Sequence, residues 1–163
     1  MRRPGDWIAG VAALNLGYII SRNCIGITEI PGAAEHPAIH WAFDLTGNPQ
    51  ARDDVDAWCG AWQALTSKLA GLPVPVNPAR ARSWLTVGAD IPLANALEGD
   101  TVILSRGVGL QPGPTVLDAP GHVGRLVAYH LATDTVDLLG GNQGNRVSVA
   151  GYPASRILGI RRV

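Results

Sequence analysis

The feature that most constrains this chain is a change of texture near residue 88. Before it, apolar residues recur at spacings of three and four; after it, short apolar runs are separated by Gly, Pro, Asn and Asp. The first pattern is the period of an amphipathic helix, and the second is that of strands joined by turns. Helices followed by a meander of strands imply an α+β domain with an antiparallel sheet of about five strands.

Within the helical half, Trp7, Val11, Leu14 and Tyr18 predict a helix over residues 6–20 with Asp6 as N-cap. Residues 37–45 read as a short helix opened by Pro37. The third helix carries Trp58, Trp62, Leu65 and Leu69 as one buried stripe, with Asp56 as N-cap and Gly71 with Pro73 closing it. Arg80 to Val87 form a helical turn around Trp84. Strands are expected at 101–105, 122–130, 134–139, 146–149 and 156–162, with Thr133 and Asp134 as a tight turn. Residues 107–121 hold three prolines and form a long loop directly before a histidine, and loops of that length are often functional.

The 163 residues are expected to form one domain: an N-terminal helix and insertion (1–28), a helical half (29–88) and a sheet half (98–163). Lys and Arg (13) balance Asp and Glu (13), so no overall field draws the chain onto nucleic acid or an anionic membrane. No purely apolar run is long enough to span a membrane. Met1-Arg2-Arg3 and the apolar residues after Trp7 imitate a signal peptide. However, Asp6 and Asn15 interrupt the segment and no small-x-small site precedes Cys24, so a folded helix is expected. Two cysteines, Cys24 and Cys59, are too few for a disulfide framework.

Cys59 falls in the first turn of the third expected helix, where free N–H groups and the positive end of the dipole favour the nucleophilic thiolate. A lone thiol is a poor hydrolytic catalyst, so a base and an orienting group are required. His122 stands between Gly121 and Val123-Gly124 at a strand start, where the glycines leave room for other backbone or a substrate. Asn142 follows Gly140-Gly141, 20 residues after His122, a separation that suits neighbouring antiparallel strands. Its amide oxygen is placed to accept the imidazole N–H, as in a Cys-His-Asn triad, although Gly-Gly-Asn is also ordinary turn chemistry. Gln143 is a substitute for the same role. A zinc site built from Cys24, His36, His40 and Cys59 is disfavoured, because Pro37 and the 35-residue gap between the cysteines fit no common zinc spacing.

An ordered series of segments resembles the papain-like cell-wall peptidases and amidases of the NlpC and CHAP type, especially a small phage- and prophage-associated subgroup. The segments are Glu29-Ile30-Pro31-Gly32, Ala57-Trp58-Cys59-Gly60-Ala61-Trp62, Ala81-Arg82-Ser83-Trp84, Glu98-Gly99-Asp100-Thr101-Val102, Gly121-His122-Val123-Gly124, Leu139-Gly140-Gly141-Asn142-Gln143 and Ile157-Leu158-Gly159-Ile160-Arg161. The resemblance implies a helix carrying Cys59 packed on an antiparallel sheet carrying His122. It also implies cleavage of amide bonds in peptidoglycan stem peptides without metal or organic cofactor. Trp58, Gly121 and Gly141, which flank the three site residues, are expected at the substrate. The chain departs from the pattern in a longer segment between Trp7 and Glu29, in Ala57 where proline is common, and in Gly140 where CHAP domains often carry glutamate.

On this reading the backbone N–H of Cys59 supplies one oxyanion donor; the sequence identifies no second donor, although Gln50, Asp53 and Asp54 lie upstream. The expected partner is peptidoglycan or a muropeptide, met in the periplasm or at the cell wall after delivery by a phage or secretion apparatus, with an immunity protein as a further partner. Two other functions share these residues: a non-catalytic cell-wall-binding component of a virion or secretion system, and a hydrolase or acyltransferase acting on a protein amide.

Overall fold

A computed structural model describes residues 15–32, 35–51 and 56–163. Helix α1 (Leu16–Asn23) starts at Asn15, whose side-chain oxygen accepts the Tyr18 N–H. The expected start at Asp6 and the apolar positions Trp7, Val11 and Leu14 lie outside the described residues, while Tyr18 is buried as expected. Helix α2 (Pro37–Leu45) opens on Pro37, as the sequence predicts, and His36 caps it by accepting the Ala38 N–H through Nδ1 at 3.2 Å.

Helix α3 (Cys59–Leu69) begins one residue after Trp58, which occupies the N-cap without a side-chain cap bond; Asp56, the expected cap, lies two residues too early. Every residue from Cys59 to Ser67 is buried, because α3 lies between α1 and α2 on one side and the sheet on the other. The expected apolar stripe holds for Trp58, Trp62 and Leu65 but not for Leu69, which is 48 % exposed at the end of the helix. Gly71, at φ 69°, closes the helix, with the Leu72 N–H returning to the Ser67 carbonyl and the Gly71 N–H to Lys68.

The strands are β1 (Ala89–Asp90), β2 (Thr101–Ser105), β3 (Gly121–His130), β4 (Thr135–Gly140), β5 (Ser148–Pro153) and β6 (Ile157–Arg162). Among the described residues they form one antiparallel sheet in the order β1-β6-β2-β3-β4-β5. The sixth strand, β1, has two residues, too short to give any period-two signal. The strand expected at 146–149 runs later. Gly144 and Asn145 take positive φ (64° and 61°) and prolong the turn, and Arg146 pairs with Thr28 instead. As an edge strand, β5 tolerates Gly151 and Pro153.

Two buried arginines tie these layers together through neutral partners. Arg125 on β3 donates to Asn15 Oδ1 (3.0 Å) and Ser67 Oγ (2.8 Å), joining α1, α3 and the sheet; burial lowers its pKa to about 9. Arg82, in the 3₁₀ turn Ala81–Thr86, donates Nε to the Pro120 carbonyl at 2.9 Å and Nη1 to the carbonyls of Pro112, Gly113 and Val116 at 2.8–3.1 Å. One planar fork thus holds both ends of the proline-rich loop that leads into His122. Arg82→Met fills the same space and leaves those carbonyls unpaired. It is expected to lower stability by about 3 kcal/mol, read as a lower urea midpoint.

Candidate active site

The site forms where α3 starts and β3 starts. Cys59 is the first residue of α3 and is 3 % exposed; His122 is the second residue of β3, paired in register with Leu104 of β2, and is 7 % exposed. The structure brings the two side chains near enough for each to shift the other's pKa. Gly121 provides the room this requires, because a Cβ there would stand 2.9 Å from Arg82 Cγ and 3.1 Å from the Leu104 carbonyl oxygen.

The imidazole bonds to Gln143, not to Asn142: His122 Nε2 lies 3.0 Å from Gln143 Oε1. The orientation of this amide follows from its surroundings. Its Nε2 donates to the carbonyls of Leu138 and Ser148, so its oxygen must be the atom facing His122. That oxygen also accepts the Tyr152 hydroxyl at 3.0 Å. An acceptor-only partner requires a proton on His122 Nε2, which leaves Nδ1 of the neutral ring unprotonated toward Cys59.

Asn142 adopts φ 57°, a left-handed conformation that asparagine tolerates better than most residues. It reverses the chain after β4 so that the following side chain, Gln143, points inward and is buried. Of the two amides expected in this segment, the structure turns the substitute, Gln143, toward the imidazole and leaves Asn142 in the turn. Tyr152 on β5, missed by the sequence reasoning, stacks on His122 with ring centroids 5.3 Å apart and an interplanar angle of 34°. Burial and the nearby Cys59 charge push its hydroxyl up to about 12, which keeps it a hydrogen-bond donor.

The electrostatics couple the pair. Burial pushes the Cys59 thiol up. The hydrogen bond and charge of His122, the Val123 N–H and the positive Arg106 outweigh it, so the thiol lies below its usual value. Burial pushes His122 down, while the hydrogen bond and charge of Cys59 and the bond to Gln143 outweigh it and hold the imidazole above its usual value. These opposite shifts favour a thiolate beside an imidazolium.

Trp58 and Gly141 are not positioned to meet a substrate. Trp58 is fully buried, its indole N–H donating to Glu29 at 2.6 Å, and a Cβ on Gly141 would come within 2.5–2.7 Å of Trp58 and Trp62. Both are packing positions that seat the start of α3 against the end of β4. Gly121 does line an open hollow of about 290 Å³ together with Cys59, Arg80, Arg106 and Asp118. A second hollow, about 240 Å³, is lined by His122, Asn142, Tyr152, Arg106 and Arg156.

The other residues considered from the sequence lie elsewhere. His36 caps α2, and His40 pairs with Glu35 at 2.6 Å. Among the described residues no group of three or more His, Cys, Asp or Glu is placed to hold a metal ion, and no helix is long and apolar enough to cross a membrane. Gln50 is exposed, and Asp53 and Asp54 lie outside the described residues.

Two solved structures share this arrangement of elements. The P60 domain of an antigen from M. avium paratuberculosis is 14% identical, with 93% of each chain covered and a TM-score of 0.51. The peptidoglycan hydrolase RipB from Mycobacterium tuberculosis is 13% identical, with 99% of this chain and 68% of that one covered and a TM-score of 0.54. The fold is NlpC/P60-like. No protein-family model and no curated protein matches the sequence, so the likeness is carried by tertiary structure. Within the NlpC/P60-like fold, which is papain-like, α3 packs on the six-stranded sheet with Cys59 and His122 at their junction.

Proposed function

We propose that this chain is a cysteine hydrolase that cuts an amide bond in peptidoglycan stem peptides through a thioester acyl-enzyme. The observation that carries the proposal is the His122–Gln143 bond, because it sets the imidazole tautomer that a thiol nucleophile needs. Cys59 Sγ gives its proton to His122 Nδ1 and attacks the amide carbonyl. The Cys59 N–H, free at the first position of α3, stabilises the oxyanion. The imidazolium protonates the departing amine, and a water deprotonated by His122 then hydrolyses the thioester, releasing the acid and restoring the thiol. The NlpC/P60-like fold, shared with a protein named as a peptidoglycan hydrolase, supports the choice of substrate.

Incubation with purified muropeptides followed by mass spectrometry tests this reading. Product masses one water heavier in sum than the substrate are expected and identify the bond. Unchanged masses would sink the assignment.

The pKa directions make a separate prediction. An ordinary thiol, with pKa near 8.5, is almost wholly protonated at pH 6. Cys59, held lower by His122, is expected to react with iodoacetamide several-fold faster there than a free thiol does. Hydrolysis is expected to follow a bell: it falls on the acid side as the thiolate is protonated, and on the alkaline side as the raised His122 loses its proton. Alkylation no faster than that of a free thiol would remove the activated nucleophile.

A further inference from the structure

The two hollows divide at the nucleophile: one is lined by Cys59 and not His122, the other by His122 and not Cys59, and Arg106 lines both. In the mechanism above, His122 gives its proton to the departing amine. The amine half of the substrate therefore lies in the hollow beside His122, and the acyl half in the hollow beside Cys59. This assignment rests on the proposed hydrolase reading.

The charged side chains of the two hollows differ. The Cys59 side holds Arg80, Arg106 and Asp118, a mixed set. The His122 side holds Arg106 and Arg156, with no carboxylate. Both guanidiniums are exposed, and neither has a hydrogen bond or ion pair among the described residues. By contrast Arg82 and Arg125 are buried in hydrogen bonds, and Arg161 and Arg162 pair with Asp90 and Asp100. The volume, about 240 Å³, falls below that of most sites for drug-sized ligands and suits a single amino-acid residue. Asn142 and Tyr152 add neutral polar groups to its wall.

We infer that this hollow is a carboxylate subsite: Arg106 and Arg156 bind a free carboxylate on the residue that supplies the leaving amine. Two guanidinium forks facing a space without an acidic side chain match a carboxylate that reaches them from the substrate. Arg106 touches both halves of the cleft, so it also fixes the scissile bond over Cys59. The subsite therefore selects stem peptides with free acids over those whose carboxyl groups are amidated.

Binding to Cys59→Ala protein tests the subsite without turnover and without the influence of Arg106 on the thiol. The probes are a synthetic stem tripeptide with free carboxyl groups and the same peptide with every carboxyl converted to carboxamide, titrated by calorimetry at low salt. The free-acid peptide is expected to bind about ten-fold more tightly. Adding Arg106→Gln and Arg156→Gln is expected to abolish that preference, and Arg106→Lys with Arg156→Lys to restore part of it. Equal affinities, no binding of either peptide, or a preference that survives both glutamine substitutions would overturn the subsite. Cleavage by the wild-type protein is scored separately. Cleavage without a charge preference refutes the subsite and leaves the hydrolase standing, whereas preference without cleavage supports carboxylate binding by Arg106 and Arg156 but refutes the hydrolase and, with it, the leaving-amine assignment.

Discussion

Cys59→Ala is expected to leave muropeptides uncut, a loss of roughly 10⁵-fold or more in kcat, comparable to removing the nucleophile of other hydrolytic triads. The loss follows from chemistry, not from unfolding. Cys59 is buried at the start of α3, but its side chain beyond Cβ is one sulfur atom, and alanine is compatible with the helix. The variant should therefore unfold within a few degrees of the wild type. Cys59→Ser sharpens the result, because it nearly preserves the shape and replaces a thiol already held below its usual pKa by a hydroxyl that His122 cannot ionise appreciably. Measurable cleavage by the alanine variant would place the nucleophile elsewhere.

Gln143→Leu is expected to lower kcat about 10²- to 10³-fold, or roughly 3–4 kcal/mol of transition-state stabilisation, with KM little changed. Leucine removes the acceptor that keeps the proton on His122 Nε2, so the ring loses the preference that presents Nδ1 to Cys59. It also leaves the Leu138 and Ser148 carbonyls and the Tyr152 hydroxyl without this partner, so a fall in thermal stability should accompany the kinetic loss. The control is Asn142→Gly, which deletes the side chain at φ 57° without the backbone strain that alanine would bring. Its effect on kcat is expected to stay within ten-fold. Should the Asn142 variant lose more than the Gln143 variant, the orienting role would return to Asn142. The split between kcat and KM separates this role from general loosening of the cleft, which would raise KM as well.

Much of the architecture was legible because it depends on local patterns. The period of Trp58, Trp62 and Leu65 located α3, and Pro37 located the start of α2. The alternation of apolar runs and turn residues placed β2 without error and β3, β4 and β6 to within a residue. What local pattern missed depends on pairing partners. Ala89 and Asp90 form a strand only because β6 lies beside them, and Arg146 leaves the expected strand because Thr28 pairs with it. Leu69, at the end of α3, is 48 % exposed although it continues the apolar stripe, something a helical period does not record.

The site divides along the same line. Cys59 and His122 were singled out by features within a few residues of each: a helix start for one, and glycines at a strand start for the other. Gln143 and Tyr152 acquire their positions from a turn and an edge strand that the chain must first fold to create. One left-handed residue, Asn142, decides which of two adjacent amides faces inward. The sequence alone placed Cys59 at a helix start and His122 at a strand start, since hydrophobic period and turn chemistry are properties of neighbouring residues; the packing of that helix on the sheet was implied by the family resemblance. Only the tertiary structure decided that Gln143 faces the imidazole and that Arg106 and Arg156 share a hollow beside it. Those contacts join residues distant along the chain, and their geometry is set by sheet register and backbone sign rather than by composition.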